Sequence, residues 1–271
     1  LTYTFRLHEG VKWHDGAPCT AEDVVFTMVL NARTDTGGNY AKYFEPVVGG
    51  LEYTQGQADT ITGITALDDY TVEFKLIKPF SSFLANFAKL YILPKHILGE
   101  VAPTDLWTHP FMVEAPVGTG PYKLTKFVID KGFEYQRNEN YHLGKPLIEA
   151  MTWDYIPDRD TILLAMEKGD IDYSIHINWT AENLQRVENT PTLQIVTAPQ
   201  PFTSGFLFSH TVNPGWADKR VRQAVAYGFN REPLLRFGHK YTRLIENLFN
   251  VEWARHPTLR WSERYPYDVE K

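Results

Sequence analysis

The segment GVKWHDGAPCTAEDVVF, Gly10 to Phe26, gathers His14, Asp15, Cys19, Glu22 and Asp23 around Trp13. With His8 just ahead of it, these residue types would ligate a transition metal if their side chains converged. The local pattern works against convergence. His8 leaves a strand, His14 and Asp15 sit on an Asp15-Gly16 turn, and Cys19 lies in the loop before a helix. Asp154, Asp158 and Asp160 offer a second chemistry, a carboxylate pair for glycoside hydrolysis. Asp158 is accounted for as a helix cap, however, and Asp160 as an acid that complements the first helical turn. GTGPY, Gly118 to Tyr122, lacks both the lysine of a phosphate loop and the third glycine of a dinucleotide fingerprint, and reads as a hinge or turn. The nine histidines are scattered, with no i, i+4 pair in any predicted helix. No nucleophile elbow or kinase loop occurs. The expectation is no catalytic residue, no metal and no cofactor.

A chain of 271 residues that is 43% hydrophobic can bury a substantial core and, by length, suggests about two domains. The net charge of -6 supplies no basic field, and no run of lysine and arginine offers a polyanion site. Nucleic-acid binding is excluded on that ground. An aromatic content of 14% suits an amphipathic ligand cleft and an aromatic-rich core equally well. One cysteine excludes an internal disulfide, so Cys19 reads as a small buried apolar group. No apolar stretch approaches the roughly 18 residues of a membrane span, and the first residues lack the zones of a signal peptide. LTYTFRL alternates Leu1, Tyr3, Phe5 and Leu7 with polar residues, so the chain opens inside a half-buried strand, as a truncated or processed chain would.

The elements that must position these residues follow from pattern. Thr20 and Asp23 form a capping-box start, and Val24, Val25, Met28 and Val29 supply the apolar face of the helix behind it. Residues 33–63 show no sustained period and read as irregular. Tyr70, Val72, Phe74 and Leu76 alternate as a strand launched from the Asp68-Asp69 turn, and Pro79 admits a helix with Phe80, Phe83, Leu84 and Phe87 on one face. Pro94 stops the next element, and the glycines and prolines of EAPVGTGPYKL mark a domain boundary near residue 114. Two strands flank Asp130 to Gly132, and EAMTWDYIPD adds a third. A helix capped by Asp158 and stopped by Gly169 follows, then a strand at DIDYSI, a helix capped by Thr180, a strand at QIVTAP and a helix capped by Asp218. This alternation predicts a mixed α/β core.

The motifs YTFRLHEGVKWHDGAPCTAEDVVFT, PVGTGPYKL, IPDRDTILLAMEKGDID and ADKRVRQAVAYGFNRE, in this order, resemble the dipeptide and oligopeptide type of extracellular solute-binding protein that feeds ABC importers. The resemblance runs over nearly the whole chain. It implies an α/β, class II periplasmic-binding-protein-like fold with mixed sheets and helices, multi-lobed, with an extra inserted domain, closing on ligand by hinge motion. On that pattern 1–113 is part of the inserted peripheral domain, 114–200 the central segment of the split main domain, and 201–271 the start of a third domain. Members carry a signal peptide, often with a lipidated cysteine, ahead of this first strand and continue beyond YPYDVEK. The resemblance therefore implies a central fragment that lacks the acidic residue pairing with the ligand's amino terminus.

Site residues come from the same resemblance. It implies Gly118, Gly120, Pro121 and Tyr122 as hinge elements, and Tyr40 and Tyr43 as aromatic ligand contacts. His176, Ile177 and Asn178 match a segment at the cleft edge, while Phe202, Thr203, Ser204, Gly205 and Phe206 match a stretch that lines the cleft. Phe208-Ser209-His210 departs from the Phe-Asn pair most members carry before the RVRQA helix. For the aromatics, core packing is an equal alternative; for Asn178 and Ser204 the alternative is an exposed turn. The implied function is capture of a peptide-like solute in an interdomain cleft and delivery to a membrane permease, by a non-enzymatic monomer at the cell surface or in the periplasm. Relatives carry nickel chelates, oligosaccharides, opines or antibiotics on this scaffold, and a sensor or structural module is the further alternative.

Overall fold

The computed structural model describes residues 1–36, 40–197, 209, 211, 214–230, 233, 267, 268 and 270. They fall into two compact units, Leu1–Tyr155 and Ile156–Lys271. The first combines helices with two antiparallel sheets, the second is helical among the described residues, and the change of character at Glu114 lies inside the first unit.

The opening alternation becomes β1 (Thr2–Arg6), an edge strand of an antiparallel sheet with β2 (Ile64–Asp68) and β3 (Thr71–Lys75) in the order β1-β3-β2. The register sets Tyr3 against Phe74 and Phe5 against Val72, so the buried Val72 and Phe74 of the central strand face the core. Sequence reading placed one strand here; the Asp68-Asp69 turn in fact closes a hairpin with β2, whose short run carries too little alternation to announce itself. Helix α1 (Ala21–Ala32) covers the sheet with Val24 and Met28, and the buried Phe44, Val47 and Ile61 complete that core.

Of the segment entered through Pro79, only α3 (Phe83–Phe87) is α-helical. Phe83 and Phe87, one turn apart, meet as tilted rings with centroids 4.5 Å apart, and Phe83 also meets Tyr3 at 4.6 Å and Phe74 at 5.6 Å. Leu84 was expected on this face but stands 53% exposed, because a five-residue helix offers one turn to bury, and the phenylalanines occupy it. Short helices α2 (Gly50–Thr54), α4 (Lys95–Leu98) and α5 (Pro110–Val113) fill the remainder. Leu98, Leu106 and Phe111 form a second cluster against Phe26 and Leu30 on the other flank of α1, with Val117 packed on it. The approach to Gly118 is thereby fixed to α1.

After it come the three strands expected there, β4 (Tyr122–Val128), β5 (Gly132–Arg137) and β6 (Ala150–Asp154), which pair as an antiparallel sheet in sequence order. Phe127 pairs with Phe133, and Phe133 with Trp153, giving one face an aromatic row; the first two rings stack at 4.8 Å.

In the second unit, α6 (Arg159–Lys168) is capped by the Asp158 carboxylate, which accepts the Asp160 N–H at 2.9 Å, and ends at Gly169 in the left-handed region, φ 82°. Helix α7 (Ala181–Asn189) starts at Thr180, whose hydroxyl accepts the Asn183 N–H at 3.1 Å. Ile162, Leu163, Ile177 and Val187 form the core between the two helices, which a bidentate Arg186–Glu167 pair also ties together. The strands expected at DIDYSI and QIVTAP do not form among the described residues. A strand requires a hydrogen-bonded neighbour, and Ile171 and Ile195 reach the core from irregular backbone instead. Helix α8 (Lys219–Gly228) is capped by Asp218, whose carboxylate accepts the Arg220 N–H at 2.8 Å.

Candidate functional site

The cluster at Gly10 to Phe26 folds as architecture. Trp13 N–H donates to Ala17 O and Gly16 N–H to Trp13 O, both at 2.8 Å, closing the turn that Gly16 makes possible at φ 98°. Beyond it, the buried Asp23 accepts the Thr20 N–H at 2.9 Å, completing the acidic half of the expected capping box. The same carboxylate takes the Trp13 indole N–H at 3.3 Å and the Lys95 backbone N–H at 2.8 Å. One side chain therefore joins the turn, α1 and α4. Asp15 reaches His96 Nε2 at 2.7 Å and accepts the Ala17 N–H. Burial acts to raise the Asp15 pKa, but these bonds outweigh it and leave the carboxyl below its ordinary range. Among the described residues no group of three histidines, cysteines or acids is placed to hold a metal.

His14 turns the other way and grips the crossover. Its backbone N–H donates to Gly118 O at 2.9 Å, its Nδ1 accepts the Gly118 N–H at 3.2 Å, and its Nε2 lies 3.0 Å from Gly120 O. Lys123 Nζ donates to His14 O at 3.1 Å, and Asn138 donates its side-chain N–H to Gly120 O and its backbone N–H to Pro121 O. Of the residues expected at a hinge, Gly118, Gly120 and Pro121 thus have their backbone groups held by the first turn and by the end of β5. Tyr122 opens β4 and donates its hydroxyl to Ile148 O at 3.1 Å. A methyl group added at Gly118 would lie 3.4 Å from the imidazole, which shows how closely backbone and ring approach. Sequence reading singled out both segments but had no signal for their union.

Tyr40 and Tyr43 bracket a 3-10 turn, Ala41–Tyr43, and their ring centroids lie 6.0 Å apart. Lys42 Nζ sits 5.5 Å from the Tyr43 ring centre, within cation–π range. The turn is pinned by Phe44, fully buried behind it, while Tyr40 remains exposed and Tyr43 half-buried. The pair is presented from a buried anchor. In the second unit His176 and Asn178 are exposed on either side of Ile177, whose side chain is 5% exposed and belongs to the core between α6 and α7. Asn178 donates to Asp160 Oδ1 at 3.3 Å, and its carbonyl accepts from the Asn183 side chain. Phe202, Thr203, Ser204, Gly205 and Phe206 lie outside the described residues. An open depression of about 750 Å³ is lined by Arg6, Leu7, Glu9, Asp68, Asp69, Tyr70 and Thr71, none of them among the site residues expected from sequence. No helix among the described residues is long and apolar enough to cross a membrane.

Comparison with known proteins bears on what these pieces belong to. The oligopeptide-binding protein AppA of Bacillus subtilis is 28% identical over 271 residues, all of this chain and 45% of AppA. A solved AppA structure, in complex with a nonapeptide, superposes with a TM-score of 0.68 at 29% identity, covering 87% of this chain and 43% of that one. The dipeptide-binding protein of Escherichia coli is 27% identical, again over all of this chain and 50% of its own. Lactococcal OppA, closed on an endogenous peptide, shares the fold at a TM-score of 0.79 and 20% identity, over 99% of this chain and 53% of that one. The chain spans about half the length of the curated relatives it matches. The family model described as bacterial extracellular solute-binding proteins, family 5 Middle, matches residues 1–271, and the chain belongs to that family.

Proposed function

We propose that this chain forms the middle part of a binding protein that captures a peptide-like solute and hands it to an ABC permease in the membrane, without catalysing a reaction. The observation that carries the reading is the match of residues 1–271 to the solute-binding family together with relatives whose names specify peptides. Residues 1–113, 114–200 and 201–271 serve as parts of the inserted, main and third domains. Tyr40 and Tyr43 contribute apolar contact at small entropic cost, since each ring has few rotatable bonds and a fixed base. His176 and Asn178 offer polar groups, Ile177 offers its backbone, and Phe202 to Phe206 add a wall. Gly118, Gly120, Pro121 and Tyr122 act as the crossover about which lobes move. Hydrated side-chain pockets around a backbone-recognising site would accept many sequences. The protein works as a monomer in the periplasm or at the cell surface.

Mass spectrometry of solutes released when natively purified protein is denatured, with metal analysis of the same sample, tests the reading. A ladder of short peptides supports it. A single sugar, opine or metal chelate replaces the ligand class. No released solute, together with no thermal shift from a panel of dipeptides to nonapeptides, overturns it.

A further inference from the structure

We propose that His14 is an acid-released clip on the Gly118–Gly120 crossover. The imidazole meets a donor on one nitrogen and an acceptor on the other: Gly118 N–H points at Nδ1, and Gly120 C=O receives Nε2. A carbonyl only accepts and an amide N–H only donates, so a single neutral tautomer satisfies both, with the proton on Nε2 and Nδ1 bare. A second proton has one place to go, Nδ1. There it would face the Gly118 N–H, turning an attraction into a donor–donor repulsion while leaving the bond to Gly120 intact.

The surroundings favour the neutral ring. Burial, the largest influence, lowers the imidazole pKa; the Gly120 bond raises it, the Lys123 ammonium on β4 lowers it and Asp15 in the same turn raises it, for a net lowering. The Asp15 carboxylate is already engaged by His96 on α4 and by the Ala17 N–H. Asn138, which shares Gly120 O, carries no charge. Because the folded pKa lies below the unfolded one, the contribution of His14 to holding the crossover is complete above the ordinary imidazole value of about 6.5 and is lost as pH falls from there through the folded value. Val117 keeps its packing against the cluster of Leu98, Leu106 and Phe111 throughout, so release begins at Gly118. This inference concerns the crossover alone and does not depend on which solute is bound.

The test is nitrogen-15 histidine NMR combined with amide exchange at Gly118, corrected for the intrinsic pH dependence of exchange. The expected result is a neutral ring protonated at Nε2, titrating below about 6.5, with Gly118 protection falling about tenfold in step with it while α1 and β3 stay protected. In His14→Gln that step should vanish. If this variant does not fold, a common midpoint for the ring and the Gly118 amide in the wild-type protein decides the matter. A neutral ring protonated at Nδ1, Gly118 protection flat across the titration, an undiminished step in the variant, or a loss of protection shared by the whole chain each overturns the proposal.

Discussion

The carboxylate of Asp23 accepts the indole N–H of Trp13 at 3.3 Å, although both side chains lie almost entirely out of water. With Thr20 N–H and Lys95 N–H on the same carboxylate, removing Asp23 strands three buried or half-buried donors. Asp23→Ala should cost about 3 kcal/mol, lowering the melting temperature by on the order of 10 °C. Glu22→Ala, next door, should change stability by less than about 0.5 kcal/mol, because its ion pair with Lys95 is solvated. Thermal denaturation of the two variants side by side checks the contrast, and equal losses would remove Asp23 from its central role.

Ile177 and Tyr40 were singled out for the same reason and separate in the structure. Ile177→Ala opens the core between α6 and α7 and should cost about 2–4 kcal/mol. Tyr40→Ala, at a side chain 36% exposed, should cost less than about 1 kcal/mol yet weaken binding of a short-peptide panel by about tenfold. Denaturant melts and calorimetry distinguish them. A Tyr40 variant that binds like wild type would take the tyrosine pair out of the site.

What could be read from sequence was local. Thr20 with Asp23, Asp158 with Asp160, and Gly169 after α6 act within a few residues of themselves, and their roles are visible in a short window. The Lys95 N–H that Asp23 also receives is 72 residues away, and the Gly118 N–H on His14 is 104 away. No window contains such pairs. Ile171, Tyr173 and Ile175 alternate as a strand would, but alternation reports which face is apolar and says nothing of a partner; Tyr173 and Ile175 stand exposed on irregular backbone. Within the candidate site, the residue types were legible and the anchoring was not. Phe44 behind the tyrosines and the grip of His14 on the crossover both depend on chain distant in sequence or on packing that only the fold supplies.

The hairpin between β4 and β5 depends on Gly132. Its φ is 136°, and a Cβ placed there would lie 1.9 Å from Trp153 O on the neighbouring strand. Gly132→Ala must therefore push β6 away or twist the hairpin, at a cost above about 2 kcal/mol. Gly144→Ala supplies the comparison: its φ of 105° is equally left-handed, but nothing lies within 4 Å. That variant should lose only the conformational penalty of about 1–2 kcal/mol. Amide exchange should show loss of protection in β6 for Gly132→Ala alone. Intact β6 protection would mean the sheet absorbs the methyl group elsewhere.

Cys19 tests how far partial burial alters chemistry. Its thiol is half-buried rather than fully buried as its type suggested, yet burial first and the Asp23 charge second push its pKa up to about 11. Its ordinary value is 9.0, so at about pH 8 the folded protein holds on the order of 100-fold less thiolate than an unfolded chain would. Alkylation by iodoacetamide requires the thiolate. The reaction should thus be slower in the folded protein by on the order of 100-fold, and urea should restore the rate. Asp23→Asn removes the charge and keeps most of the volume, but it also turns an amide donor toward one of the three N–H groups; it should raise the folded rate, and the Coulombic share is the part that persists after correction for the variant's lower stability. Rapid alkylation of the wild-type folded protein would mean that the turn opens around Cys19 far more often than the bonds of Asp23 allow.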